Sequence, residues 1–92
     1  MIGTCEYMAF GSNYVANFEG NNRADYPGLN EYGCAALCNE DAGCNSFTYC
    51  KDWLNNKKCH LKDRSLKGSE PYKHNSGCTT YFLYCGKRSI QF

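Results

Sequence analysis

Cysteine is the residue whose number and spacing carry the most chemistry in this chain. Eight of the 92 residues are cysteines: Cys5, Cys34, Cys38, Cys44, Cys50, Cys59, Cys78 and Cys85. Thiols at this density serve either as disulfide partners or as zinc ligands. Zinc sites repeat a knuckle of two cysteines separated by about two to four residues. Only Cys34 and Cys38 approach such a spacing, and no second pair repeats it. His60 follows Cys59 directly, and neighbours in an extended chain point to opposite faces, which works against their sharing one ion. The pattern reads as four disulfides, with no metal and no cofactor. It places the chain outside the cell, secreted or at the cell surface, where disulfides persist. With every cysteine paired, no thiolate remains as a nucleophile. His60 and His74 are the only histidines, and neither a Gly-x-Ser-x-Gly elbow nor a His-Glu-x-x-His motif is present. The chain is expected not to be an enzyme.

Two loops carry binding signals instead. Tyr72-Lys73-His74-Asn75 sets an aromatic face beside several hydrogen-bonding groups. Sugar recognition needs that mixture: a plane for the apolar ring face, and donors and acceptors for the hydroxyls. The bland alternative is an ordinary polar turn with Tyr72 packed on a sheet. The second loop, Lys51-Asp52-Trp53-Leu54-Asn55-Asn56, carries the single tryptophan. Trp53, with Lys51 beside it, is either a stacking or interface anchor or a satellite core residue. Eight tyrosines are more than the core of so small a domain can absorb, and exposed tyrosines favour adhesion surfaces.

The net charge of +1 hides an asymmetry. Residues 1–50 carry one base, Arg23, against six acids, a net of −5, whereas residues 51–92 carry nine bases against three acids, a net of +6. Lys57, Lys58, Lys62, Arg64, Lys67 and Lys73 either gather on one basic face suited to a heparin-like polyanion or simply solvate long loops. An oxidising compartment disfavours nucleic acid as a partner.

These residues need a frame. Ninety-two residues make one domain at most, and a chain this short buries only about 60–65% of its unfolded surface. The disulfides must supply what the core cannot. A hydrophobic content of 42% and a mean hydropathy of −0.63 leave no stretch suited to membrane insertion. Met1-Ile2-Gly3-Thr4 leads straight to Cys5 without a signal-peptide pattern, so a mature or excised domain is expected. Residues 1–86 are expected to form the domain and 87–92 a tail or linker, and no N-glycosylation sequon occurs.

The patterning predicts strands over 4–10, 13–18, 45–50, 58–62 and 78–85, the last the strongest. Residues 19–27 and 63–77 read as polar, turn-rich connections. Asn30 is a good N-cap for a helix over 31–39, with Glu31 in its first turn and Cys34 and Cys38 on one face. Gly33 inside that helix costs about 1 kcal/mol relative to alanine, so the helix is expected to be stapled rather than self-sustaining.

The order Cys34-Ala-Ala-Leu-Cys38, Cys44-Asn-Ser-Phe-Thr-Tyr, Cys59-His-Leu-Lys62 and Ser76-Gly-Cys-Thr-Thr-Tyr-Phe-Leu-Tyr-Cys85 resembles the PAN/apple family. Gly68-Ser-Glu-Pro71 matches its punctuation before the last strand, and with Cys5 the resemblance covers nearly the whole chain. It implies an α+β fold, a small antiparallel sheet cradling a single helix. It also implies the pairs Cys5–Cys85, Cys34–Cys59 and Cys38–Cys44, leaving Cys50–Cys78 as a fourth outside the six-cysteine pattern. The function implied is non-catalytic adhesion within a larger multi-domain protein. The partner is a cell-surface glycan or glycoprotein, as in galactose-binding apple domains of parasite adhesins, or a protein, as in clotting-factor-like proteases. The lectin likeness points to Tyr72 and Lys73, with His74 in support.

Overall fold

The computed structural model describes residues 6–84. Its elements are β1 (Glu6–Ala9), β2 (Tyr14–Ala16), β3 (Asn22–Pro27), α1 (Glu31–Glu40), β4 (Ser46–Lys51), β5 (Lys57–Lys62), β6 (Tyr72–His74) and β7 (Cys78–Tyr84). Five strands form one antiparallel sheet in the order β1-β7-β4-β5-β3, and β2 pairs with β6 in a separate two-stranded ribbon. This is the expected α+β architecture.

The central strand β4 explains the layering. Alternation turns Phe47 toward the helix and Ser46 and Thr48 away from it. All three are buried, so both faces of the sheet are covered. On the helix side, Phe47 and Leu61 pack with Cys34, Cys38, Cys44 and Cys59, and Phe47 stacks on Tyr81 at 5.1 Å between ring centroids. On the other side, Phe82 packs with Ala16 of the ribbon and with Leu66.

The helix begins where the Asn30 side chain accepts the Gly33 amide at 2.9 Å, satisfying one of the donors a first turn leaves open. Its buried residues are Cys34 and Cys38, with no broad apolar stripe to dock it. Two disulfides hold it down: Cys34–Cys59 to β5, and Cys38–Cys44 to the chain entering β4. A side chain at Gly33 would sit 3.2 Å from Leu29, so glycine here lets Leu29 close over the first turn. Cys50–Cys78 joins register partners on β4 and β7. Cys34–Cys59 and Cys38–Cys44 are pairs the resemblance implied, and Cys50–Cys78 is the pair expected by elimination outside that pattern. The Cys5–Cys85 pair and the boundary between 1–86 and 87–92 lie outside the described residues.

Two expectations need correction. Residues 22–27 are a strand, not a connection, because β3 pairs with β5 at the sheet edge. Most of its side chains are exposed, so its pairing leaves no hydrophobic alternation to read. Pro27 is tolerated there because an edge strand has one hydrogen-bonding side free. Within 63–77, β6 is likewise a strand, three exposed residues recruited by β2.

The ribbon rests on a buried polar layer. Thr48 and Thr80 hydroxyls lie 3.1 Å apart, both reach the Glu19 carboxylate, and Thr80 Oγ1 accepts the Ala16 amide at 3.1 Å. Ser46 Oγ donates to the Arg64 carbonyl at 2.9 Å. Each buried hydroxyl thus has a partner, as burial requires.

Candidate functional site

The ribbon gathers aromatic residues far apart in the chain. Register pairs Tyr14 with His74 and Ala16 with Tyr72, so Tyr14, Tyr72 and His74 share one face. Tyr14 meets the Tyr72 ring edge-to-face at 5.5 Å and the His74 ring at 5.4 Å. Phe10 stacks on Tyr72 at 5.1 Å and touches buried Phe82 at 5.1 Å. The result is a continuous row, Phe82–Phe10–Tyr72–Tyr14–His74, that begins in the core and ends in solvent. Tyr72 is 51% exposed.

Beside this row lies a cleft of about 460 Å³, lined by Met8, Phe10, Phe82 and Tyr84 together with Tyr72, Lys67 and Gly68. The Lys67 and Gly68 amides both donate to the Glu70 carboxylate, at 2.7 and 2.8 Å, which orders their loop. A half-exposed aromatic plane next to an ammonium group and fixed backbone groups can hold a polyhydroxylated ring.

Of the residues singled out in sequence, Tyr72 and His74 thus meet on one face. Lys73 leaves β6 on the opposite face, in register with Val15. Trp53 and Lys51 belong to a different surface, the β4–β5 hairpin tip. Trp53 is 90% exposed and is no satellite core residue. Phe10 and Tyr14 were not singled out as site residues, and Lys67 was named only as a member of the candidate basic face. The excess of tyrosine was a signal for Tyr14, but nothing in the sequence announces that residues 10, 14 and 72 meet.

A further concavity of about 340 Å³ opens beside the helix, lined by Tyr7, Glu31, Tyr32, Ala35, Phe47 and Tyr81. Burial pushes the Tyr7 and Tyr81 hydroxyls up from their ordinary pKa, and Tyr7 donates to Asn39 at 2.8 Å. Both phenols stay neutral near pH 7, leaving this wall apolar with a hydrogen-bonding edge.

The charged residues are dispersed. Arg23 forms a two-pronged pair with Asp41 at 2.7 and 2.8 Å. Asp25 meets His60 at 2.6 Å, and that hydrogen bond holds the Asp25 carboxyl below its usual range. Arg64 donates to the Phe18 carbonyl at 2.6 Å and lies over the Phe18 ring. The basic residues of the second half therefore divide among the hairpin tip (Lys57, Lys58), the sheet (Lys62), the cleft (Lys67), the ribbon (Lys73) and a structural contact (Arg64). Among the described residues no cysteine is free, and no group of three His, Cys, Asp or Glu side chains is placed to hold a metal ion.

A family model of the PAN domain matches residues 15–62, which is 48 of the 92 residues. The chain belongs to the PAN-domain family. The matched span runs from β2 through β5 and takes in the helix with both disulfides that tie it down. PAN domains are extracellular interaction modules whose partners are proteins or carbohydrates. No curated protein and no solved structure matches the chain. In this PAN domain the hairpin tip lies inside the matched span. Phe10, Tyr14, Tyr72 and His74 all lie outside it.

Proposed function

We propose that this PAN domain is a non-catalytic adhesion module of a secreted or cell-surface protein, and that it recognises carbohydrate through the cleft beside Tyr72. The observation that carries this reading is the ring row: Tyr72 stacks on Phe10 and meets Tyr14 at right angles, yet remains half exposed where it lines the cleft. A ring fixed by its neighbours loses little side-chain entropy when a ligand stacks on it. Lys67 supplies donors at the cleft, and His74 extends the row toward solvent. Galactose-type glycans, whose rings present an apolar face together with hydroxyls, fit that combination.

A glycan array followed by titration of the best ligand tests the reading. Tyr72→Ala is expected to weaken binding about tenfold, consistent with the ~0.5–1.5 kcal/mol of an aromatic contact plus its buried area. Lys67→Ala is expected to weaken it further or change selectivity. Lys73→Ala decides whether the opposite face of the ribbon also takes part. An array without selective signal, together with capture of a defined protein through the Tyr32 concavity, replaces the lectin reading with a protein-docking one.

A further inference from the structure

The tip of the β4–β5 hairpin has no role in the ribbon site and shares no residue with its cleft. Residues 52–56 are clamped by a single carboxylate. Asp52 Oδ1 accepts the Leu54 and Asn56 amides, both at 2.9 Å, and Oδ2 accepts the Asn56 side-chain amide at 3.1 Å. Backbone bonds from Asn55 to the Asp52 carbonyl (2.9 Å) and from Asp52 to the Asn56 carbonyl (3.1 Å) close the loop, and Asn55 takes the left-handed conformation at φ 67°. The clamp holds the two most apolar residues of the loop out in water: Trp53 is 90% exposed and Leu54 60%. A turn that served only to reverse the chain would carry polar residues here.

Behind the tip, Lys51, Lys57 and Lys58 line one cavity of about 330 Å³. Lys51 and Lys57 are register partners across the hairpin, so their side chains rise from the same face. Lys51 and Lys57 therefore stand on one face behind the two apolar side chains, Lys58 alternates to the other face of the same hairpin, and the one acid of the segment, Asp52, is turned into its own loop. Hydrogen bonds from the Asn56 amide hold the Asp52 carboxyl below its usual range, so it stays ionised and engaged.

We propose that this tip docks on an anionic lipid bilayer, with Trp53 and Leu54 entering the headgroup region and Lys51, Lys57 and Lys58 meeting lipid phosphates and carboxylates. The tip combines an exposed amphipathic indole, the group that settles at headgroup depth, with lysines set behind it. A sugar is the poorer occupant, because the planar groups next to Trp53, Asp52 and Asn56, are consumed by the loop. The contact is peripheral, and no helix of the described residues is long and apolar enough to cross a membrane.

Trp53 is the single tryptophan, so fluorescence excited at the red edge, where the eight tyrosines do not absorb, reads this tip alone. Vesicles of phosphatidylcholine mixed with phosphatidylserine are expected to shift its emission to the blue and shield it from aqueous quencher, whereas phosphatidylcholine alone leaves it unchanged. The effect fades toward 1 M salt, where the screening length falls to about 3 Å. Each lysine near an anionic surface contributes roughly a fivefold factor in partitioning, so the Lys51→Gln/Lys57→Gln/Lys58→Gln variant binds about a hundredfold more weakly. A Trp53→Ser/Leu54→Ser variant, followed by vesicle co-sedimentation, loses binding while keeping its circular dichroism. Absence of any shift with anionic vesicles overturns the proposal, as does an equal shift with neutral ones. A shift produced by a sulfated oligosaccharide or by a protein, with vesicles inert, assigns the tip to that partner instead. None of these outcomes touches the Tyr72 cleft.

Discussion

The two faces of the central sheet are covered by different means. On one, a helix whose buried residues are cysteines is attached covalently through Cys34–Cys59 and Cys38–Cys44. On the other, a ribbon of two three-residue strands is attached by the hydrogen bond from the Ala16 amide to Thr80 and by ring contacts running back to Phe82. The helix side needs no large apolar face because disulfides restrict the unfolded chain as well as docking the folded one. The ribbon side has no such tether among the described residues, so its aromatics must contribute packing while still presenting surface. The covalent side is scaffold. The side held by weaker forces carries the candidate ligand cleft.

Removing the tether is the strongest way to break this contrast. Replacing Cys34 and Cys59 by alanine removes a cross-link between residues 25 apart, expected to lower the unfolding free energy by about 3–4 kcal/mol in urea titrations. On the ribbon side, Thr80→Val keeps the shape but strips the acceptor from the Ala16 amide, a loss of about 1–3 kcal/mol. That variant should also disturb the Tyr14 and Tyr72 ring resonances, which the cysteine variant leaves closer to native. If the ring resonances follow the cysteine variant more than Thr80→Val, the two faces are not independent. Asn30→Ala, which deletes the helix cap, should cost about 1 kcal/mol by thermal unfolding and leave the ribbon untouched.

The smallest effect is a pH dependence at the hairpin. The folded Asp52 carboxyl titrates below its unfolded value of about 3.9, so its support for the loop is complete above that pH and is lost as pH falls through the folded value. Fluorescence anisotropy of Trp53 should therefore stay level from neutrality down to about pH 4 and drop below it. In Asp52→Asn that acid transition should disappear.

Several parts of this frame were legible in the residues. The Asn30 cap, the two cysteines four apart on the helix, and the alternation of Ser46 to Cys50 each report a local geometry that one stretch of chain imposes on itself. Strand β3 was not legible, because its partner β5 is reached through backbone groups while its side chains stay in water. Strand β6 was hidden for the same reason, within a segment whose glycines and proline suggested only a connection. The sign asymmetry along the chain does not carry over into space: β3 of the acidic half lies along β5 of the basic half, and Asp25 meets His60 across that seam.

Trp53 shows the division most clearly. Its neighbours in sequence marked a polar turn bearing one large aromatic residue, and left open whether the indole packed down or stood out. The Asp52 clamp and the pairing of Lys51 with Lys57 decided that it stands out. The aromatic row was decided at longer range still, by β2 finding β6 some 60 residues away. Composition and spacing alone pointed to a disulfide-held frame of short strands and one capped helix, because those features follow from local periodicity and from thiol chemistry, while the α+β arrangement was what the family resemblance implied. Which aromatics meet, which lysines share a cavity and which face stays open depended on strand pairing. Register is set by contacts between distant segments, and no local pattern encodes it.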